Sequence, residues 1–278
     1  MTIAIGIPFR YKELDCSLVC ADSKVVATDG ATMSGSKVSM GLSASGGSFA
    51  IAGATEDADA ALMLATDIKS ALCDHGDNPY GVEAVIQEVM TRWHGAYGSC
   101  KPPSIQYVLG VGIQEHCNLF LCSPPNTVLR KNKAFAIGSG ARALDPFLSD
   151  EPGPISSVNA AIARAAYWMY RAKQYEGSFC GGKSHAFIIS EHGGFGFVKE
   201  TEFDKIEALG KRIDAVMNKC LQEMMSDKPD IVQQTFLSDF GAWYLSLSEE
   251  IAAAKFLDGV RYVNPPKQLT AQKSEPER

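Results

Sequence analysis

The chain has 278 residues and a mass of 29.9 kDa, room for one large domain or two small ones. Hydrophobic residues make up 46% and charged residues 21%, an ordinary folded composition that excludes a disordered chain. A formal net charge of -6 and a pI near 5.4 disfavour nucleic acid or an anionic membrane surface as the main partner, and no apolar stretch reaches the roughly 18 residues of a membrane helix. The apolar run 2–9 is too short for an export signal and has no basic segment ahead of it, so a cytoplasmic location is expected.

In chain order, residues 2–9 and 17–22 are rich in β-branched and apolar side chains and are predicted to be strands joined by the polar stretch 10–15. Residues 37–43 alternate, and 48–53 is a buried-strand run after the Gly46-Gly47 turn, which makes a second hairpin. A helix should open at 55–57, where Glu56 and Asp57 suit its positive end, and carry Ala58, Ala61, Leu62, Ala65, Ile68 and Leu72 inward. Val82, Val85, Ile86, Val89, Met90 and Trp93 mark a second helix. Strands follow at 105–113 and 118–123, then 134–137 running into Gly138-Ser139-Gly140. A long helix is expected over 158–174, and two last strands at 185–190 and 194–199. Strands and helices arriving in blocks favour an α+β layered sandwich over a parallel sheet. Residues 2–200 form the expected main domain, 201–264 a helical extension for packing or oligomer contact, and 265–278 a polar, disordered tail.

Several catalytic signatures are missing: there is no GxxxxGK[ST], HExxH or GxSxG. Eight cysteines lie scattered without a CxxC pair, as reduced and partly buried thiols would. His116 and Cys117 adjoin, but no second ligand pair stands at zinc-like spacing, so no metal is expected. What stands out is Thr2. A small second residue permits removal of Met1, which leaves threonine with a free α-amine. A hydroxyl is a poor nucleophile until a base takes its proton. An α-amine, with a pKa of about 7.7–8.0, is such a base near neutral pH.

The chain resembles proteasome β-subunits and their bacterial homologues among the N-terminal-nucleophile hydrolases. The resemblance runs through Thr2-Ile3-Ala4-Ile5-Gly6-Ile7, Val19-Cys20-Ala21-Asp22-Ser23, Gly35-Ser36-Lys37-Val38 and the stretch from Ala50 to Ala58. It resumes at Ala136-Ile137-Gly138-Ser139-Gly140-Ala141, at Lys173-Gln174-Tyr175-Glu176 and before Cys180-Gly181-Gly182, so it covers roughly 2–199. It implies a four-layer αββα sandwich and a threonine endopeptidase without cofactor.

Carried over by position, Thr2 is the nucleophile, Lys37 the catalytic lysine and Asp22 the carboxylate that keeps it charged. The Gly53 N–H would donate to the developing oxyanion, a contact worth about 3 kcal/mol, and Ser139 would lie near the amine. Glu176 stands where the family has aspartate, and Cys180 where it has serine, with one extra residue between them; Ser178 is an alternative for the serine. Val25, Ile51 and Thr55 would line an apolar substrate pocket. The implied substrate is a peptide or unfolded protein, within a homo-oligomeric ring whose ATPase partner, if any, the sequence does not identify. The same nucleophile acting on a small amide, or a catalytically silent ring subunit or scaffold, are the alternatives. A second register, with Asp29 as the acid and the nucleophile near Cys16, is disfavoured because it brings the acid too near Gly53.

Overall fold

The computed structural model describes residues 2–26, 32–35, 37–43, 46–75, 81–149, 155–224 and 260–263. In chain order these form β1 (Ile3–Tyr11), β2 (Leu14–Asp22), β3 (Lys24–Val26), β4 (Thr32–Ser34), β5 (Val38–Leu42) and β6 (Ser48–Thr55). Then come α1 (Ala58–His75), α2 (Val82–Gly95), β7 (Ile105–Ile113), β8 (His116–Ser123), β9 (Thr127–Lys131) and β10 (Phe135–Gly138). A 3-10 turn (Ser139–Leu144) leads to α3 (Asp145–Ser149), α4 (Val158–Tyr175), β11 (Ser184–Ser190), β12 (Phe195–Val198), α5 (Glu200–Met224) and β13 (Val260–Val263).

The strands build two antiparallel sheets. The six-stranded sheet has the order β10-β1-β2-β11-β12-β13, the five-stranded sheet β5-β6-β7-β8-β9, and β3 pairs with β4 as a separate hairpin. The polar link expected over 10–15 is tighter than that. Lys12 and Glu13 both take positive φ (48° and 69°), so a two-residue turn reverses β1 directly into β2 and lengthens both strands. The helix starts follow local chemistry: the Asp57 carboxylate accepts from the Ala60 N–H at 3.0 Å ahead of α1, and Ser157 Oγ accepts from the Ala160 N–H at 3.0 Å to cap α4.

Three apolar clusters hold these elements. In one, Ile3, Ile5, Ile7 and Leu18 of the six-stranded sheet pack against Ile162, Ala165, Ala166 and Met169 of α4. In another, Phe49, Ile51, Tyr107 and Leu109 of the five-stranded sheet pack under α1 and α2. Between them, Ala4, Val19, Ala21, Ala50, Ala52 and Val108 bring the two sheets together. Small residues at that seam permit a close approach of the backbones. Helix α5 is tied to α4 by polar contacts: Lys173 Nζ donates to Glu207 at 2.8 Å, and Arg171 pairs with Asp214 at 2.5 Å.

One expectation changes here. Residues 201–264 are not helical throughout: α5 is described over Glu200–Met224, and Val260–Val263 is a strand, pairing Val198 with Val260 on the edge of the six-stranded sheet. Four residues are too few for a strand period to show in the sequence, and the pairing with β12 is what defines this strand. The apolar stretch 251–256 and the tail 265–278 lie outside the described residues.

Candidate functional site

β1 leaves Thr2 at its start, and β2, antiparallel beside it, ends at Asp22. In the facing sheet, Lys37 immediately precedes β5 and Gly53 lies near the end of β6. The seam between the sheets therefore collects Thr2 and Asp22 from one and Lys37 from the other.

The resulting contacts are dense. Thr2 Oγ1 donates to Asp22 Oδ1 and accepts from Lys37 Nζ. Lys37 Nζ also donates to Asp22 Oδ1 at 2.8 Å, the Ile3 N–H to the same oxygen at 3.2 Å, and the Gly181 N–H to Asp22 Oδ2 at 2.9 Å. Asp22 is fully buried, so these four donors are what makes its charge tolerable. Burial holds the Lys37 ammonium below its ordinary value of 10.5; the Asp22 carboxylate opposes that shift and the Lys24 cation adds to it. A hydroxyl wedged between an ammonium and a carboxylate, both desolvated, is polarised as a nucleophile must be.

Gly138 shapes the other wall. It adopts φ 92°, and a Cβ there would sit 2.1 Å from the Thr2 carbonyl oxygen, so only glycine lets β10 pair with Ile3 at this point. The next residue, Ser139, donates through Oγ to that carbonyl at 3.3 Å. Cys180 Sγ stands 3.9 Å from Ser139 Oγ. Burial and the nearby Asp22 push the Cys180 thiol up to about 11, which keeps it protonated. Ser178 is exposed, so Cys180 is the residue that meets Ser139. Glu176 is half-buried at the end of α4, and its backbone carbonyl accepts from the Cys180 N–H at 2.7 Å.

The Gly53 N–H donates to the Lys37 carbonyl at 3.3 Å, a long bond, so a substrate oxyanion would have to displace an existing partner. Ile51 does not line a pocket: it is 2% exposed in the cluster under α1 and α2. Thr55 lies in the same strand, but its hydroxyl accepts from the Asp57 N–H at 2.9 Å, at the approach to α1. The physical reason is the two-residue period of β6, which sends 51 and 55 to the helix-covered face while 50, 52 and 54 face the other sheet. Val25 belongs to β3, and its side chain lies outside the described residues, as do those of Asp29 and Met1. Cys16, the rival nucleophile, pairs with Phe9 at the far end of the β1–β2 hairpin.

Sequence reasoning missed Lys24. Its Nζ donates to the Gly177 carbonyl at 2.6 Å and its N–H to the Gly181 carbonyl at 3.1 Å, pinning the loop whose Gly181 amide holds Asp22. The only signal was its place two residues after the candidate acid. Among the described residues no group of three His, Cys, Asp or Glu is placed to hold a metal ion, and no helix is long and apolar enough to cross a membrane.

The sequence matches no family model and no curated protein. Solved structures do share the fold. Anbu from Hyphomicrobium sp. strain MC1, as a Gly-1 mutant, superposes with a TM-score of 0.62 at 14% identity, over 82% of this chain and 100% of that one. Anbu from Yersinia bercovieri, described as an ancestral beta-subunit, gives 0.63 at 12% identity over 78% and 97%. The structure described as a helical assembly of the Anbu complex from Pseudomonas aeruginosa gives 0.62 at 13% identity over 82% and 98%. The fold is thus Anbu-like. This corrects the family expected from the sequence: the likeness is to Anbu rather than to the bacterial proteasome homologues, and none of these descriptions attributes hydrolase chemistry to the fold. Short blocks such as Gly138-Ser139-Gly140 mark backbone requirements of the fold, which is why they could not separate one branch from another.

Proposed function

We propose that this protein is a threonine peptidase in which Thr2, freed by removal of Met1, is the nucleophile, and that it works within an assembly of identical copies. The observation that carries the reading is the Thr2 hydroxyl held between Lys37 and Asp22. In the reaction, Thr2 Oγ1 attacks a peptide carbonyl while its proton passes to the Thr2 α-amine. The tetrahedral intermediate collapses, the C–N bond breaks, and the amine returns the proton to the leaving nitrogen. Water then adds to the ester, the amine again taking a proton, and the acid product leaves as the proton returns to Oγ1. The Lys37 charge favours a neutral amine and stabilises the developing alkoxide, Asp22 holds Lys37 in place, and the Gly53 amide receives the oxyanion once it exchanges its Lys37 carbonyl partner.

Ser139 and Cys180 would fix the Thr2 backbone, with Glu176 setting the Cys180 loop. Helix–sheet–sheet–helix stacking, αββα, is supported by the three apolar clusters. Assembly is supported by the fold shared with an Anbu protein described as helically assembled.

The test is to determine the mature N-terminus by mass spectrometry and to incubate the protein with a peptide epoxyketone, which needs both the hydroxyl and the amine of a terminal threonine. The expected result is loss of Met1, one covalent adduct on Thr2 and loss of peptide turnover in Thr2→Ala. Retained Met1 in a protein that cleaves peptides, or a Thr2→Ala variant with full activity, overturns the reading.

A further inference from the structure

The described surface carries two patches that cannot meet within one molecule. On α1, Leu62 and Met63 are adjacent and each 67% exposed, and helical spacing puts Asp59 and Asp67 beside them on the same outer face. Lys69 stands two turns beyond Leu62 at the rim of this face, so its two carboxylates outnumber one cation. The face belongs to the helix that follows β6, and α1 lies over the β5–β6 side of its sheet.

The second patch is a cavity of about 560 Å³ at the other end of β1, roughly 23 Å from Thr2 along the strand at about 3.3 Å per residue. Its apolar lining includes Phe9, Leu119 and Leu148, and Arg10, Arg130, Lys131 and Lys133 outnumber its one carboxylate, Asp15, which pairs with Arg10 at 3.5 Å. Lys131 ends β9, the strand that closes the five-stranded sheet on the side away from β5.

The two patches match in kind: protruding apolar side chains flanked by carboxylates on one, an apolar recess flanked by ammonium groups on the other. Charges so arranged attract between copies and repel like against like, so α1 against α1 is disfavoured. The geometry points to a head-to-tail contact in which the α1 face of one copy, Leu62 and Met63 with Asp59 and Asp67, docks into the Lys131–Lys133 cavity of the next copy. A contact between two different patches closes into a ring or continues as an open helix. The inference rests on the assembly half of the proposed function and is independent of the peptidase half.

Sedimentation velocity on the full chain tests it, with Leu62→Asp/Met63→Asp destroying one patch and Lys131→Glu/Lys133→Glu the other. Wild type should form assemblies, each variant alone should be a monomer, and an equimolar mixture should give a 1:1 dimer and nothing larger. Putting Asp59→Lys/Asp67→Lys and Lys131→Glu/Lys133→Glu in one chain should restore assembly, a gain that misfolding cannot mimic. Wild-type assembly that survives in either patch variant overturns the inference alone, as does dimerisation of the cavity variant by itself. A native mass showing a small acidic molecule bound through the two lysines, with assembly unchanged in the cavity variant, also overturns it. Wild type that stays monomeric at every concentration sinks this contact together with the assembly half of the function.

Discussion

At Asp22 one buried carboxylate organises most of the candidate site. It receives Thr2, Lys37 and the Ile3 and Gly181 amides, and no neighbouring residue could replace it without leaving several donors unsatisfied. Asp22→Asn keeps the shape but removes the charge that holds Lys37, and it puts an NH2 or a neutral oxygen where donors converge. Peptide turnover should fall about 10²–10³-fold, the span typical of losing one preorganised electrostatic contact, while circular dichroism stays native.

Lys37 carries a second consequence. Burial lowers its pKa in the folded state below the ordinary 10.5, so between those two values the unfolded chain holds more protons than the folded one. Stability from this group therefore rises with pH across that window, because the cation is what folding disfavours. Urea unfolding of wild type and Lys37→Met at stepped alkaline pH should show the difference moving in favour of wild type as pH climbs. A difference that is flat or falls with pH would contradict the assigned burial.

Among the elements, β10 and the 3-10 turn after it decide where the Thr2 backbone can lie. Gly138 is held at φ 92° against the Thr2 carbonyl. Gly138→Ala adds both a left-handed backbone penalty and a clash, so it should cost roughly 2–3 kcal/mol in denaturant unfolding and abolish epoxyketone labelling of Thr2. Sequence pattern located this element well: the strand before the triplet, the two N-terminal hairpins, α1, α2 and α4 all stand where periodicity put them, within a few residues. It missed β9, the β3–β4 hairpin and β13. Each of these is only three to five residues long, too short for a period to declare itself, and each is fixed by the neighbour it pairs with.

Across the whole molecule, the seam between the sheets is the feature on which the site depends. Ala4, Ala21, Ala50, Ala52 and Ala54 line it. Enlarging one of them pushes Thr2 and Asp22 away from Lys37. Ala52→Leu, with Ala52 fully buried, should therefore destabilise by about 1–3 kcal/mol, the usual range for overpacking. Thermal unfolding would show it, and labelling of Thr2 should fall even in the folded fraction.

The sequence by itself determined which segments pair locally, which stretches are helical, and that a threonine, an acid and a lysine stand at strand ends. Those are consequences of period, turn chemistry and residue type along a short stretch of chain. Only the tertiary structure decided that Ile51 and Thr55 belong to the helix-covered face, that Lys24 and Gly181 brace Asp22, and that Gly53 already has a partner. A strand's alternation says that two faces exist, but which one lies under a helix and which meets another sheet is set by contacts between residues far apart in the chain.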